Sequence, residues 1–180
     1  MNQQPTPPTP DSARLFLALC PDAHVKAALA AHARGWHWPV GAALYDPHDW
    51  HVTLHFIGSV PRQRLAELGA GLDVPAGPFE LRFGQPARWS KGLALLLPVT
   101  VPEALQQLHE RLGQALTRLG LPADARPYQP HITLARCAAQ AVPPQTAPAF
   151  VWRVQGYALM ESTGESGQRY RLLHSYGVVE

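Results

Sequence analysis

Two four-residue segments, His51-Val52-Thr53-Leu54 and His131-Ile132-Thr133-Leu134, repeat one chemical pattern in the two halves of the chain. Each reads as part of a β-strand, where successive side chains point to opposite faces. The imidazole and the Thr hydroxyl then share one face, and the two aliphatic residues share the other. At the usual rise, the His and Thr Cα atoms of one motif lie about 7 Å apart. Two such motifs facing each other would bracket one phosphate. A neutral imidazole can take a proton from an attacking water while a protonated one supplies a proton to the leaving oxygen. Thr hydroxyls can donate to non-bridging oxygens, and a guanidinium can offset the charge that builds there. Arg136, five residues beyond His131, is the nearest candidate.

Nine histidines also raise metal binding, with His48, His51 and His55 close together. On a strand, residues four apart lie about 13 Å apart, too far to share an ion. Neither an H-E-x-x-H segment nor a Cys cluster is present, so no metal and no cofactor are expected. Strict alternation places His55 on the face of His51, where a solvated edge position is expected. The same rule puts Phe56 with Val52 and Leu54 on the core face, and Arg136 on the face opposite His131, unless the strands bulge or end there. Lys91 and the Trp36-His37-Trp38 cluster read as packing groups outside the site.

The 180 residues suffice for one domain with a sizeable core, and 46% hydrophobic with 16% charged residues is globular composition. Thirteen of the fifteen basic residues are Arg, whose planar fork suits phosphate oxygens. A formal charge of +2 implies recognition of a terminus through few phosphates rather than tight duplex binding. The Pro-rich start has no signal-peptide pattern and no apolar run could span a bilayer, so a cytoplasmic protein is expected, with a disordered tail over 1–11 and one domain over 12–180. Cys20 and Cys137 are expected as reduced, buried thiols.

The elements that must carry the motifs follow from hydrophobic period and punctuation. A buried strand at 14–19 stops at Pro21-Asp22 and hands over to a helix beginning at that Pro, with Val25, Ala28 and Leu29 inward. A strand over 50–57 ends at Gly58, and a helix starts at Ser59-Val60-Pro61 with Leu65, Leu68 and Leu72 recurring. Strands over 78–85 and 87–99, joined at Pro86, form an antiparallel pair. Thr100 and Glu103 have capping-box spacing ahead of a helix striped by Leu105, Leu108, Leu112, Leu116 and Leu119, which Gly120 ends. A strand over 131–137, a Pro-rich loop over 141–148 and a closing hairpin of 150–160 with 169–176 complete an α+β arrangement.

Paired H-x-T-hydrophobic strands at this separation resemble the 2H phosphoesterases, and within them the bacterial RNA 2′,3′-cyclic phosphodiesterases also called 2′-5′ RNA ligase-like. The resemblance extends to the first strand at 14–19, to Trp50 through Gly58, to Tyr128 through Arg136, and to Glu161-Ser162 with Tyr170. It implies two pseudo-symmetric lobes, each a mainly antiparallel sheet with helices outside, around a central cleft. It further implies a metal-independent opening of a 2′,3′-cyclic phosphate to a 2′-phosphate, with His51 as acid, His131 as base, Thr53, Thr133 and Arg136 on the phosphate, and Phe56 beside the nucleobase. The expected partners are RNA termini or nucleoside 2′,3′-cyclic phosphates, met by a monomer away from any membrane. The residues alone leave open which histidine is the acid. They equally fit another cyclic phosphate, a 2′-5′ linkage, RNA ligation, or a catalytically idle RNA-end binder.

Overall fold

The computed structural model describes residues 11–146, 148, 150–165 and 167–177. The expected N-terminal tail lies outside the described residues except Asp11, whose carbonyl accepts the Arg62 N–H at 2.9 Å. Strands outnumber helices, as the sequence implies. In chain order they are β1 (Ser12–Leu19), β2 (Ala43–Leu44), β3 (Val52–Pro61), β4 (Phe79–Trp89), β5 (Leu93–Pro98), β6 (Ile132–Arg136), β7 (Phe150–Val154), β8 (Gly156–Glu165) and β9 (Gln168–Gly177). The helices are α1 (Ala23–Arg34), α2 (Leu65–Gly71) and α3 (Glu103–Arg118). None is long and apolar enough to cross a membrane.

All strand pairs are antiparallel and form one path, β7-β4-β5-β6-β3-β1-β8-β9, with β2 beside β6. Among the described residues, the two halves of the path pair only where Val52 of β3 meets Ile132 of β6. Each of those residues immediately follows a motif histidine. β7 and β8 stand near opposite ends of the path although Gln155 alone separates them, so Val154 and Gly156 lie at most about 7 Å apart along extended chain. The sheet must therefore curve until its two ends approach.

Local chemistry explains most boundaries and several departures from expectation. The helix α1 starts after Asp22 rather than at Pro21, because the Asp22 side chain accepts the Val25 N–H at 2.8 Å and satisfies an otherwise orphaned donor. β3 does not end at Gly58. Its φ of +86° lets the strand bend and continue, so Ser59, Val60 and Pro61 pair with β1 instead of opening a helix. The β4–β5 turn falls at Ser90–Gly92 rather than at Pro86, with φ of +67° at Lys91 and +72° at Gly92. Pro86 lies within β4 beyond the stretch paired with β7, where an open edge tolerates its missing N–H. The expected strand over 150–160 divides at Gln155, β7 pairing with β4 and β8 with β1 and β9.

The leucine stripe of α3 is buried as expected, with Leu105, Leu108, Leu112 and Leu116 at 0–1% exposure. Its start differs, since Pro102 occupies the cap without a side-chain bond and the Thr100–Glu103 capping box does not form. Its end closes on Gly120 at φ +70°, with the Leu121 N–H donating to the Leu116 carbonyl at 2.9 Å. This helix packs on β3 and so supports the first histidine motif from behind, while α1 packs on β7. The Trp36 ring is core, stacked on Trp38 at 5.0 Å and donating from Nε1 to His32 at 2.9 Å. Both cysteines are free and exposed, not buried; each lies just past a strand end, and Cys137 adopts φ +52°.

Replacing Leu112 by Ala leaves a cavity between α3 and the sheet and is expected to cost about 2–5 kcal/mol in urea unfolding. The exposed Glu110→Ala, two residues away, should stay within about 0.5 kcal/mol.

Candidate active site

The two histidine motifs share a defect in their strands. Thr53 pairs with Ala18 and His55 with Leu17, which leaves Leu54 as an extra residue on β3. Thr133 pairs with Leu95 and Ala135 with Ala94, which leaves Leu134 as the extra residue on β6. A bulge spends two residues against one and inverts the faces that follow it. Phe56 and Arg136, the fifth residue after each histidine, are thereby turned onto the face of His51, Thr53, His131 and Thr133. Phe56 is 63% exposed at the cavity, whereas His55 is 2% exposed. Strict alternation expects the reverse for both, and the bulge is the physical reason it fails.

All six residues singled out from the sequence line one cavity of about 670 Å³. The antiparallel pair Val52–Ile132 sets His51 across from Thr133 and Thr53 across from His131. Each histidine is held by the carbonyl two residues before it: His51 Nδ1 lies 2.7 Å from the Asp49 oxygen, and His131 Nδ1 lies 2.8 Å from the Gln129 oxygen. A carbonyl only accepts, so each Nδ1 carries the hydrogen and each Nε2 is the group left for proton transfer. Phe16 and Tyr170 pack on the His51 ring at 5.0 and 5.1 Å, and Trp89 packs on His131 at 4.6 Å. Burial pushes both histidines below the ordinary range, partly offset by the carbonyl bonds, and the charge of His131 lowers His51 further. Among the described residues neither Thr hydroxyl has a protein hydrogen-bond partner, so both are available to a ligand.

Other lining groups carry no local signal. Arg14, Tyr45, Arg169 and Tyr170 join the cavity from strands and loops distant in sequence, and Asp49 joins it from just ahead of His51. Arg14 and Tyr170 stand in segments covered by the resemblance, without a role attached. The guanidinium carbons of Arg136 and Arg169 lie 5.2 and 4.8 Å from the Tyr45 ring centre, and Arg169 approaches the Asp49 carboxylate at 3.7 Å.

Behind the first motif, the rings of His55, His109 and Tyr128 form a pile with centres 4.0 Å apart. His55 Nε2 donates to the His109 carbonyl at 2.8 Å, the His109 ring bonds the backbone of Leu54, and the Tyr128 hydroxyl donates to the Thr53 carbonyl at 3.2 Å. Three polar contacts thus hold the bulged stretch against α3 and the loop after it. Burial lowers His55, and burial with the neighbouring His55 charge lowers His109 to about 4.

Two H-x-T-L strands meeting in one cleft of a curved antiparallel sheet define the class of this protein, the 2H phosphoesterases. The 2′-5′ RNA ligase superfamily model matches residues 21–165, and the chain belongs to that superfamily. The "RNA 2′,3′-cyclic phosphodiesterase" of Thermus thermophilus is 31% identical over 92% of this chain and 90% of its own length. The protein of the same name from Escherichia coli is 33% identical over 83% and 84% respectively. A crystal structure of a phosphoesterase superposes with a TM-score of 0.83 at 25% identity, covering 93% of this chain and 99% of the other.

The folded state holds protons on His55 and His109 less readily than the unfolded chain does, so the unfolded chain binds more protons below about pH 6.5. Their stabilising contribution is complete above that pH and is lost as pH falls toward about 4, the value of His109. Thermal melting should therefore decline over this window, and His109→Gln should decline less steeply; equal slopes would contradict the assignment.

Proposed function

We propose that the protein hydrolyses the 2′,3′-cyclic phosphate at an RNA end to a 2′-phosphate, with no metal ion or cofactor. The observation that carries this reading is the pair of imidazoles whose Nδ1 atoms are tied to backbone carbonyls while their Nε2 atoms are left for one shared cavity. His131 Nε2 takes a proton from water, the water oxygen attacks phosphorus, the P–O3′ bond breaks, and His51 Nε2–H protonates O3′. The proton inventory then balances with the two rings alone, and solvent exchange restores the starting state. The protonated form of one ring disfavours protonation of the other, which favours the singly protonated pair that such a step requires.

Thr53, Thr133 and Arg136 donate to the non-bridging oxygens, where negative charge grows in the transition state. Phe56 offers an exposed ring on which any base can stack. The assignment of His51 as acid follows the family pattern; the electrostatics of the two rings point the other way, since the charge of His131 lowers His51. The names of the Thermus and E. coli relatives support the substrate, an RNA terminus or a nucleoside 2′,3′-cyclic phosphate.

The test is hydrolysis of a nucleoside 2′,3′-cyclic phosphate in a chelator, with 2′- and 3′-phosphate products resolved. His51→Ala and His131→Ala should each lower kcat by at least about 10²-fold, with 2′-phosphate as the wild-type product. A 3′-phosphate product would reverse the leaving group, loss of activity to chelator would overturn the mechanism, and binding without turnover would leave an RNA-end binder.

Two further outcomes follow from the same geometry. Because burial lowers both histidines, the rising and falling limbs of the kcat/KM profile should both lie at lower pH than an unperturbed imidazole near 6.5 would give. Phe56→Ala should raise KM by about 5- to 100-fold, the loss of one stacked base, with kcat little changed. An unchanged KM would remove Phe56 from the base site.

A further inference from the structure

The cavity holds more positive charge than a cyclic phosphate requires. Arg14, Arg136 and Arg169 line it against the single carboxylate of Asp49. A cyclic phosphodiester carries one negative charge, and Arg136 with the two Thr hydroxyls already meets it. Arg169 is the surplus cation that the structure anchors. Its guanidinium carbon lies 4.8 Å from the centre of the Tyr45 ring, a contact that orders the planar fork while leaving its edge donors free. Its distance of 3.7 Å to Asp49 is an ion pair but too long for a hydrogen bond, so the carboxylate does not consume those donors. Tyr45 itself is buried, and its backbone is fixed because the Tyr45 N–H donates to the Leu134 carbonyl at 2.8 Å. The platform is thus tied to the bulge residue of the second histidine motif.

We propose that Arg169, seated on Tyr45, forms a second anion subsite that takes the phosphate ester on O5′ of the terminal nucleotide. The inference rests on the proposed function and names what part of an RNA end the cavity reads beyond the cyclic phosphate. An RNA terminus carries that ester as the phosphodiester to the preceding nucleotide, and a bare nucleoside cyclic phosphate lacks it. Arg14 has no comparable anchor and contributes only to the general field of the cleft.

The experiment measures kcat/KM on the full chain for three substrates: a nucleoside 2′,3′-cyclic phosphate with a free 5′-hydroxyl, the same compound with a 5′-phosphate, and a dinucleotide ending in the same cyclic phosphate. The wild type should favour the second and third by about tenfold or more, the size of a charge-assisted hydrogen bond. Arg169→Gln should abolish that preference while leaving the 5′-hydroxyl substrate within about twofold of wild type, and Arg169→Lys should restore part of it. Arg14→Gln should retain most of the preference.

Absence of any wild-type preference overturns the subsite and leaves the proposed function standing. An equal fall on all three substrates in Arg169→Gln would show a structural role through Asp49 and also overturn it. So would a preference confined to the dinucleotide, which would assign the gain to the added nucleoside, or one lost equally in Arg14→Gln. Failure of the wild type to turn over any of the three contradicts the proposed function itself, and the subsite with it.

Discussion

Among the described residues, Val52 and Ile132 form the one backbone pair through which the two halves of the sheet meet, and both side chains are fully buried. Each follows a histidine, so the pair that closes the sheet also delivers both imidazoles and both Thr hydroxyls to a common face. Displacing the register by one residue would send all four groups into the core. The apolar members of the two motifs therefore do as much for the site as the polar ones, since their burial on both halves fixes which way the polar members point. The curvature forced by the single residue between β7 and β8 then wraps the remaining strands around that junction.

Within this frame the bulges at Leu54 and Leu134 convert a two-residue pattern into a three-residue site. Each motif contributes a histidine, a threonine and the residue five places after the histidine, which is an aromatic ring in one half and a guanidinium in the other. The duplicated H-x-T-L pattern was legible because it is local, and strand alternation alone places His and Thr together. The bulges were not, since they depend on how Leu54 and Leu134 meet the neighbouring strands β1 and β5. The same holds for Tyr45 and Arg169, which sequence reading could not attach to a motif because sheet curvature, not spacing, brings them to the cavity.

Fold boundaries divide along the same line. Elements governed by their own composition, such as the leucine stripe of α3 and the strand β1, agree with expectation. Those decided by glycine conformation or by a neighbour do not. Gly58 continues a strand that its identity suggested would end, and the turn that Pro86 suggested forms instead at Lys91 and Gly92, where the backbone takes positive φ. His55 is the clearest case at the site, a histidine expected in solvent that instead lies in a ring pile with His109 and Tyr128. Burial of these imidazoles lowers their proton affinity, and a neutral Nε2 is the form in which a histidine can act as base.

Both motif histidines must present Nε2 to the cavity, with Nδ1–H committed to the carbonyls of Asp49 and Gln129. Long-range ¹⁵N–¹H correlation of the imidazole nitrogens of His51 and His131 at neutral pH reads this directly. The account predicts that in the neutral form both rings carry the hydrogen on Nδ1 and an unprotonated nitrogen at Nε2. A neutral Nε2–H tautomer in either ring would contradict it, because the nitrogen facing the phosphate would then be unable to accept a proton.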